Sequence, residues 1–167
     1  MSDHLNFKVN KNSDLHQGFF MPKNREKYKG VRLPFARSGW EFRMMEFLDK
    51  NPNVIEWISE KPEIPYINPH TGTKWNYHPD FVVKLKDGNG TRIEMIELKP
   101  KHETEPPVPS PKKRKKTLLE QHERWILNSA KWDAARAYCK THKWNFKVLY
   151  MEGKIFKEVV QVGYRVG

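Results

Sequence analysis

Residues 75–99 constrain the fold more than any other stretch. From Trp75 to Leu85 the odd positions are mostly apolar or aromatic (Trp75, Tyr77, Phe81, Val83, Leu85), then come Asp87, Gly88, Asn89 and Gly90, and a second extended run covers Arg92 to Lys99. Period-two alternation on either side of an Asp/Gly/Asn cluster predicts a β-hairpin with a loop of about four residues. If Lys86 faces Thr91 across that loop, paired positions sum to 177 and Asp80 faces Glu97. Directly opposed side chains lie about 5 Å apart at Cβ. Lys99, two residues beyond Glu97, shares its face. Two carboxylates and an ammonium are therefore expected in one tight group.

Carboxylates that close repel unless positive charge sits between them. Lys99 supplies part of it, and a divalent cation would supply more, because hard cations bind through one or two carboxylates and leave positions for water and phosphate oxygens. Such an ion polarises a phosphate and acidifies a bound water. Lys99 is placed to orient that water or to stabilise developing charge. The alternative is a surface hairpin laced with cross-strand salt bridges, which contribute little. Asp80 stands between Pro79 and Phe81-Val82-Val83, and Glu97-Leu98-Lys99 follows Met95-Ile96. Acids emerging from apolar strand ends are expected to be partly buried, and buried like charges point to a site.

Around this hairpin the pattern is helix, strands, hairpin, basic loop, helix, strand. Ser38 with Glu41 three residues later has capping-box spacing, and Trp40, Met44, Phe47 and Leu48 then fall on one helical face until Asn51-Pro52. Short strands are expected over 54–58 and 63–66, a long helix over about 117–141, and a strand over 145–150. The order predicts an α/β chain with helices packed on one mixed sheet. Residues 1–30 read as a basic arm with one ordered piece around Phe19, Phe20 and Met21, 31–150 as the domain, 100–117 as a basic Pro-rich loop, and 151–167 as a tail.

Lysine and arginine number 31 against 20 acids, a formal net charge of +11. An excess this large in 167 residues favours a polyanionic partner, most often nucleic acid, over a merely solvated surface. One cysteine, Cys139, excludes a disulfide framework within the chain and a cysteine zinc site. There is no long apolar span or signal-peptide core, so an intracellular protein without a membrane is expected. No GxxxxGK loop, HExxH or GxSxG occurs.

His78-Pro79-Asp80-Phe81 followed by Ile96-Glu97-Leu98-Lys99-Pro100 resembles the signature of the PD-(D/E)XK nucleases. The wider series, Arg37 to Glu41, Pro52 to Tyr66, these two motifs, and Asn128-Ser129-Ala130-Lys131-Trp132, resembles the head completion nucleases of tailed phages over roughly residues 21–150. It is more distantly similar to the N-terminal domain of the transposase subunit TnsA, from which it departs in carrying an acid, Glu97, where that relative tends to have glutamine. The resemblance implies a restriction-endonuclease-like core. It also implies metal held by Asp80, Glu97, Glu41 and the Leu98 carbonyl, with Mg²⁺ or a substituting Mn²⁺, and Lys99 assisting hydrolysis to a 5′-phosphate and a 3′-hydroxyl. Double-stranded DNA, portal or head–tail connector proteins, and a place in the host cytoplasm or virion are implied in the same way.

Glu41 is equally a helix cap or a metal ligand on these grounds. Lys101, Lys112, Lys113, Arg114, Lys115 and Lys116 are candidate phosphate contacts, the last five being alternatively a solvated run. Asn128 and Lys131 are candidate substrate contacts on the second helix, and His78 would lie opposite Lys99 in the proposed register. Two other functions compete: a non-catalytic DNA-binding assembly protein, against which the joint presence of Glu41, Asp80, Glu97 and Lys99 argues, and a transposon end-cleaving subunit.

Overall fold

The computed structural model describes residues 8–9 and 16–159. Three short strands, β1 (Lys8–Val9), β2 (His16–Phe19) and β3 (Phe35–Ala36), form a small antiparallel sheet. Helix α1 (Gly39–Lys50) follows, then β4 (Val54–Ser59), β5 (Ile64–Ile67), β6 (Lys74–Tyr77), β7 (Phe81–Asp87) and β8 (Gly90–Leu98). The long helix α2 (Lys115–His142) leads into β9 (Asn145–Glu152) and β10 (Ile155–Glu158). The main sheet has the order β10-β9-β8-β7-β4, with β8 and β9 parallel through the α2 crossover and the other pairs antiparallel. This is the mixed α/β architecture expected from the order of elements.

The run from Trp75 to Leu85 is two strands rather than one. Among the described residues β6 pairs only with β5, in a separate two-stranded sheet, while β7 joins the main sheet. Pro79, fully buried in the break, cannot donate to a ladder. The hairpin register is as read from the sequence, with Lys86 opposite Thr91 and Phe81 opposite Ile96. The loop is tighter than four residues, because Asp87 still pairs with Gly90. Gly88 turns the chain at φ 56°, which glycine adopts without a Cβ clash.

Both faces of the main sheet are covered. Met44, Met45 and Leu48 of α1 pack with Val54, Trp57, Phe81, Val83, Ile96 and Leu98. On the opposite face, Ala135 and Cys139 of α2 pack with Ile64, Tyr66, Tyr77, Val82 and Met95. Two-sided burial explains why Phe81-Val82-Val83 and Met95-Ile96 read as continuous apolar runs. On α1 the buried arc is Met44, Met45, Leu48 and Asp49, so Phe47, expected inward, is 52% exposed. On α2 the buried positions Asn128, Trp132, Ala135 and Cys139 recur at four- and three-residue steps and form a single stripe. Burial pushes the Cys139 thiol up to about 11, so it behaves as a small apolar group.

The segment before α1 belongs to the packed domain from residue 16 onward, rather than to an arm. Phe20 and Tyr28 are core residues, and Phe35 pairs with Phe19. The fully buried Asp49 accepts from the Lys23 and Asn24 amides, both at 3.0 Å. Lys27 donates to the carbonyls of Asp49 and Asn51 at the end of α1. These bonds satisfy a buried carboxylate that would otherwise destabilise the helix end.

Gly30 follows this segment where a side chain has no room: an added Cβ would stand 2.2 Å from the Tyr28 hydroxyl oxygen. Tyr28 is held by Trp57 and by a 3.2 Å hydrogen bond to Ser59. The Gly30→Ala variant is therefore expected to lose about 1–3 kcal/mol, the usual cost of overpacking, read as a thermal midpoint several degrees lower.

Candidate active site

Pro79 lies in the break after β6 and Asp80 just before β7, where its main chain and side chain serve different neighbours. Its carbonyl accepts from the Glu60 amide at 3.3 Å. Its Oδ2 accepts from the Leu98 amide at 2.7 Å. The carboxylate thus takes a place that a strand carbonyl would hold one step further along the ladder. Beyond this point β8 looks the other way, with the Lys99 amide donating to Leu149 of β9 at 2.9 Å.

Glu97 is 4% exposed on the face that α2 covers. Its Oε1 is 3.1 Å from Lys99 Nζ, and its Oε2 accepts from the Tyr77 hydroxyl. Burial pushes the Asp80 carboxyl well above the usual carboxylate range, and Glu97 and, more weakly, Glu41 add to the rise against the pull of the Leu98 amide and Lys99. Burial acts to lower the Lys99 ammonium, yet Glu97 and Asp80 outweigh it and hold it above the ordinary lysine value. Tyr77, buried beside Glu97, keeps its proton well past the ordinary tyrosine range. Two neighbouring acids, partly balanced by one lysine, form a donor set that suits a hard divalent cation.

Glu41 lies near enough for its charge to act on Asp80, and its own oxygens are held at the start of α1. Ser38 Oγ accepts from the Glu41 amide at 3.2 Å and donates to Glu41 Oε1, while Oε2 accepts from the Arg37 amide at 3.0 Å. The Ser38 cap has the expected spacing, but Glu41 reaches back to the Arg37 amide and the Ser38 hydroxyl rather than to the Ser38 amide, which engages both its oxygens. Burial raises the Glu41 carboxyl, against these hydrogen bonds. Among the described residues no three of the His, Cys, Asp and Glu side chains are grouped closely enough to hold a metal by themselves. A Mg²⁺ site needs no more than one or two protein carboxylates, so the pair Asp80 and Glu97 suits such an ion.

The remaining sequence candidates are spread more widely. Lys131 lies half-buried on α2. Burial and the neighbouring Lys99 lower its ammonium, while Glu97 and Asp80 act the other way, which places it within reach of the site's field. Asn128, one turn earlier, is buried and lines a cavity of about 200 Å³ with His102, Glu103, Lys113, Arg124 and Trp125. Lys101 is exposed in a short 3₁₀ turn, its ammonium 5.6 Å from the centre of the Tyr150 ring. Lys112, Lys113 and Arg114 are exposed before α2, but Lys115 and Lys116 are its first residues rather than loop. Lys113 ties the loop to the helix through Val108 and Gln121, both at 3.1 Å. The hairpin ladder stops at Phe81, so no strand pairing sets His78 opposite Lys99. The His78 Nδ1 lies 3.4 Å from the Glu60 carbonyl.

The sequence reading missed Tyr77 as part of the site and took it only as an apolar strand position. A buried tyrosine usually finds a partner for its hydroxyl, and that rule, applied next to an acidic strand end, points to Tyr77.

The TnsA-like endonuclease N-terminal family matches residues 51–151. A head completion nuclease of Enterobacteria phage T4 is 37% identical over 142 residues, covering 83% of this chain and 93% of that protein. The matched span holds Asp80, Glu97, Lys99 and Lys131, together with the whole of the main sheet up to Met151.

Proposed function

This chain belongs to the TnsA-like endonuclease family, and from that premise we propose that it hydrolyses DNA phosphodiester bonds with a divalent metal, Mg²⁺ in the first instance. It is a nuclease of the phage head completion type. Asp80, Glu97 and the Leu98 carbonyl would hold the cation. Once bound, that ion would polarise the scissile phosphate and acidify a water. Lys99, anchored by Glu97, orients the attacking water and stabilises charge that develops on the phosphate. Glu41, fixed by its helix cap, borders the site as a further acceptor for water. Lys131 adds positive charge on the α2 side, where a phosphate enters.

The reading is carried by the meeting of the two acids, Asp80 on the Leu98 amide and Glu97 between Tyr77 and Lys99. DNA as the substrate is supported by the surface as well. α2 begins with Lys115 and Lys116 behind Arg114 and has no acid in its first turn. Cations are disfavoured at the positive end of a helix dipole, so a basic cluster there fits an anionic partner. Lys112, Lys113 and Arg114 extend the same surface. Among the described residues no helix is long and apolar enough to cross a membrane. We place its work in the host cytoplasm during phage assembly, on packaged DNA, next to portal or connector proteins.

Linear and circular double-stranded DNA, incubated with the protein in Mg²⁺ or EDTA beside the Lys99→Ala variant, tests this directly. Cleavage that requires Mg²⁺ and falls by about 10²-fold or more in the variant is expected, the scale of losing one stabilising donor. Loss of circular DNA would make it an endonuclease. DNA binding without cleavage in Mg²⁺ or Mn²⁺ would leave a non-catalytic assembly protein as the better reading.

A further inference from the structure

We infer that Tyr77 is a positioning residue for the nuclease site, holding Glu97 in the orientation that binds the divalent cation. The inference rests on the metal-nuclease reading above. Glu97 has a free rotation about its last side-chain bond, and a carboxylate that spins cannot present one oxygen reliably. Here both ends are gripped, with Lys99 Nζ 3.1 Å from Oε1 and the Tyr77 hydroxyl donating to Oε2. The two grips come from different parts of the fold. Lys99 follows β8 itself, whereas Tyr77 ends β6 in the separate two-stranded sheet that packs against α2. The break at His78-Pro79 lets the chain leave that sheet and return to the main one, carrying Tyr77 and Asp80 to the same acid within four residues. Tyr77 is 4% exposed and packed in the α2-side core, so its ring cannot swing to water and its hydroxyl direction is set by the core. Each carboxylate oxygen offers two lone pairs, so the tyrosine bond leaves acceptor capacity for a metal on Glu97.

Partners that orient a ligating carboxylate typically govern metal affinity by about 10–100-fold. The Tyr77→Phe variant removes one oxygen and keeps the ring. Calorimetric titration of the full chain with Mn²⁺ alone should show binding weakened by about that factor, and the Mg²⁺ half-saturation of cleavage should rise with kcat largely recovered at high Mg²⁺. DNA binding in EDTA should stay at the wild-type level. Cys139→Ala, a truncation in the same α2-side core, should leave Mn²⁺ affinity at the wild-type level, which separates positioning from general damage to the core even if Tyr77→Phe is destabilised. Wild-type Mn²⁺ affinity and Mg²⁺ half-saturation in Tyr77→Phe would overturn the inference alone, as would an equal loss of Mn²⁺ affinity in Cys139→Ala. A wild type that takes up no Mn²⁺ and cuts no DNA would overturn the metal-nuclease reading and the inference together.

Discussion

Replacing Asp80 by asparagine is expected to abolish DNA cleavage, by about 10³-fold or more, and at the same time to raise the melting temperature of the metal-free protein. Both effects follow from one arrangement. Asp80 and Glu97 meet in a desolvated part of the fold, where burial and the Glu97 charge oppose the ionised form of Asp80. Two unit charges about 5 Å apart repel by roughly 3 kcal/mol at an effective dielectric constant of about 20. Lys99 offsets part of this, and a proton on Asp80 relieves it at lower pH, so the gain on removing one charge is largest at high pH and at most about 3 kcal/mol, or a rise of at most roughly 6–12 °C for a chain of this size. Asparagine keeps an acceptor for the Leu98 amide, so the hydrogen bond at 2.7 Å need not be lost. It loses the anionic oxygen that a hard cation requires, and with it the transition-state stabilisation that the metal supplies. Paired melting curves in EDTA and a cleavage assay in Mg²⁺ check the two halves. A variant that melts lower than the wild type would show that the acids are not opposed in the folded state, and one that still cuts would remove Asp80 from the site.

Trp57→Ala is expected to cost about 3–5 kcal/mol, a large share of the stability of an ordinary domain. Trp57 is 1% exposed and joins three elements. Its ring lies 4.6 Å from that of Tyr28 in the N-terminal segment, 6.2 Å from Phe20 and 6.1 Å from Phe81 of β7. Emptying this position withdraws the support of β7 just where Asp80 precedes it, so the site should loosen along with the fold. Trp57→Phe is expected to behave quite differently. The indole N–H is buried with no acceptor among the described residues, so its removal relieves an unsatisfied donor while a large aromatic ring remains. A loss of about 1–2 kcal/mol, with cleavage retained, is the expected outcome for phenylalanine. Thermal denaturation of the two variants side by side measures the difference. Equal losses would mean that the indole nitrogen is engaged after all.

The hairpin was legible because strand alternation, turn residues and register are local, and one pairing assumption carries a whole ladder. Lys86 opposite Thr91 settles Phe81 opposite Ile96, and that leaves Asp80 beside Glu97. The α1 cap was legible for the same reason, since Ser38 and Glu41 are within one turn. The sequence by itself therefore determined the two acids, their lysine, the family signature around them and the basic charge that suits DNA. Only the tertiary structure decided what lies at the ends of those patterns. Pro79 splits an apparently continuous strand, and which sheet each half joins depends on α2 covering one face and α1 the other. The N-terminal residues that look like a polar arm become core because Asp49, distant in sequence, needs their amides. Tyr77 enters the site for a like reason. Its apolar ring follows the strand pattern, but the direction of its hydroxyl is fixed by packing across two sheets, and periodicity carries no information about contacts of that range.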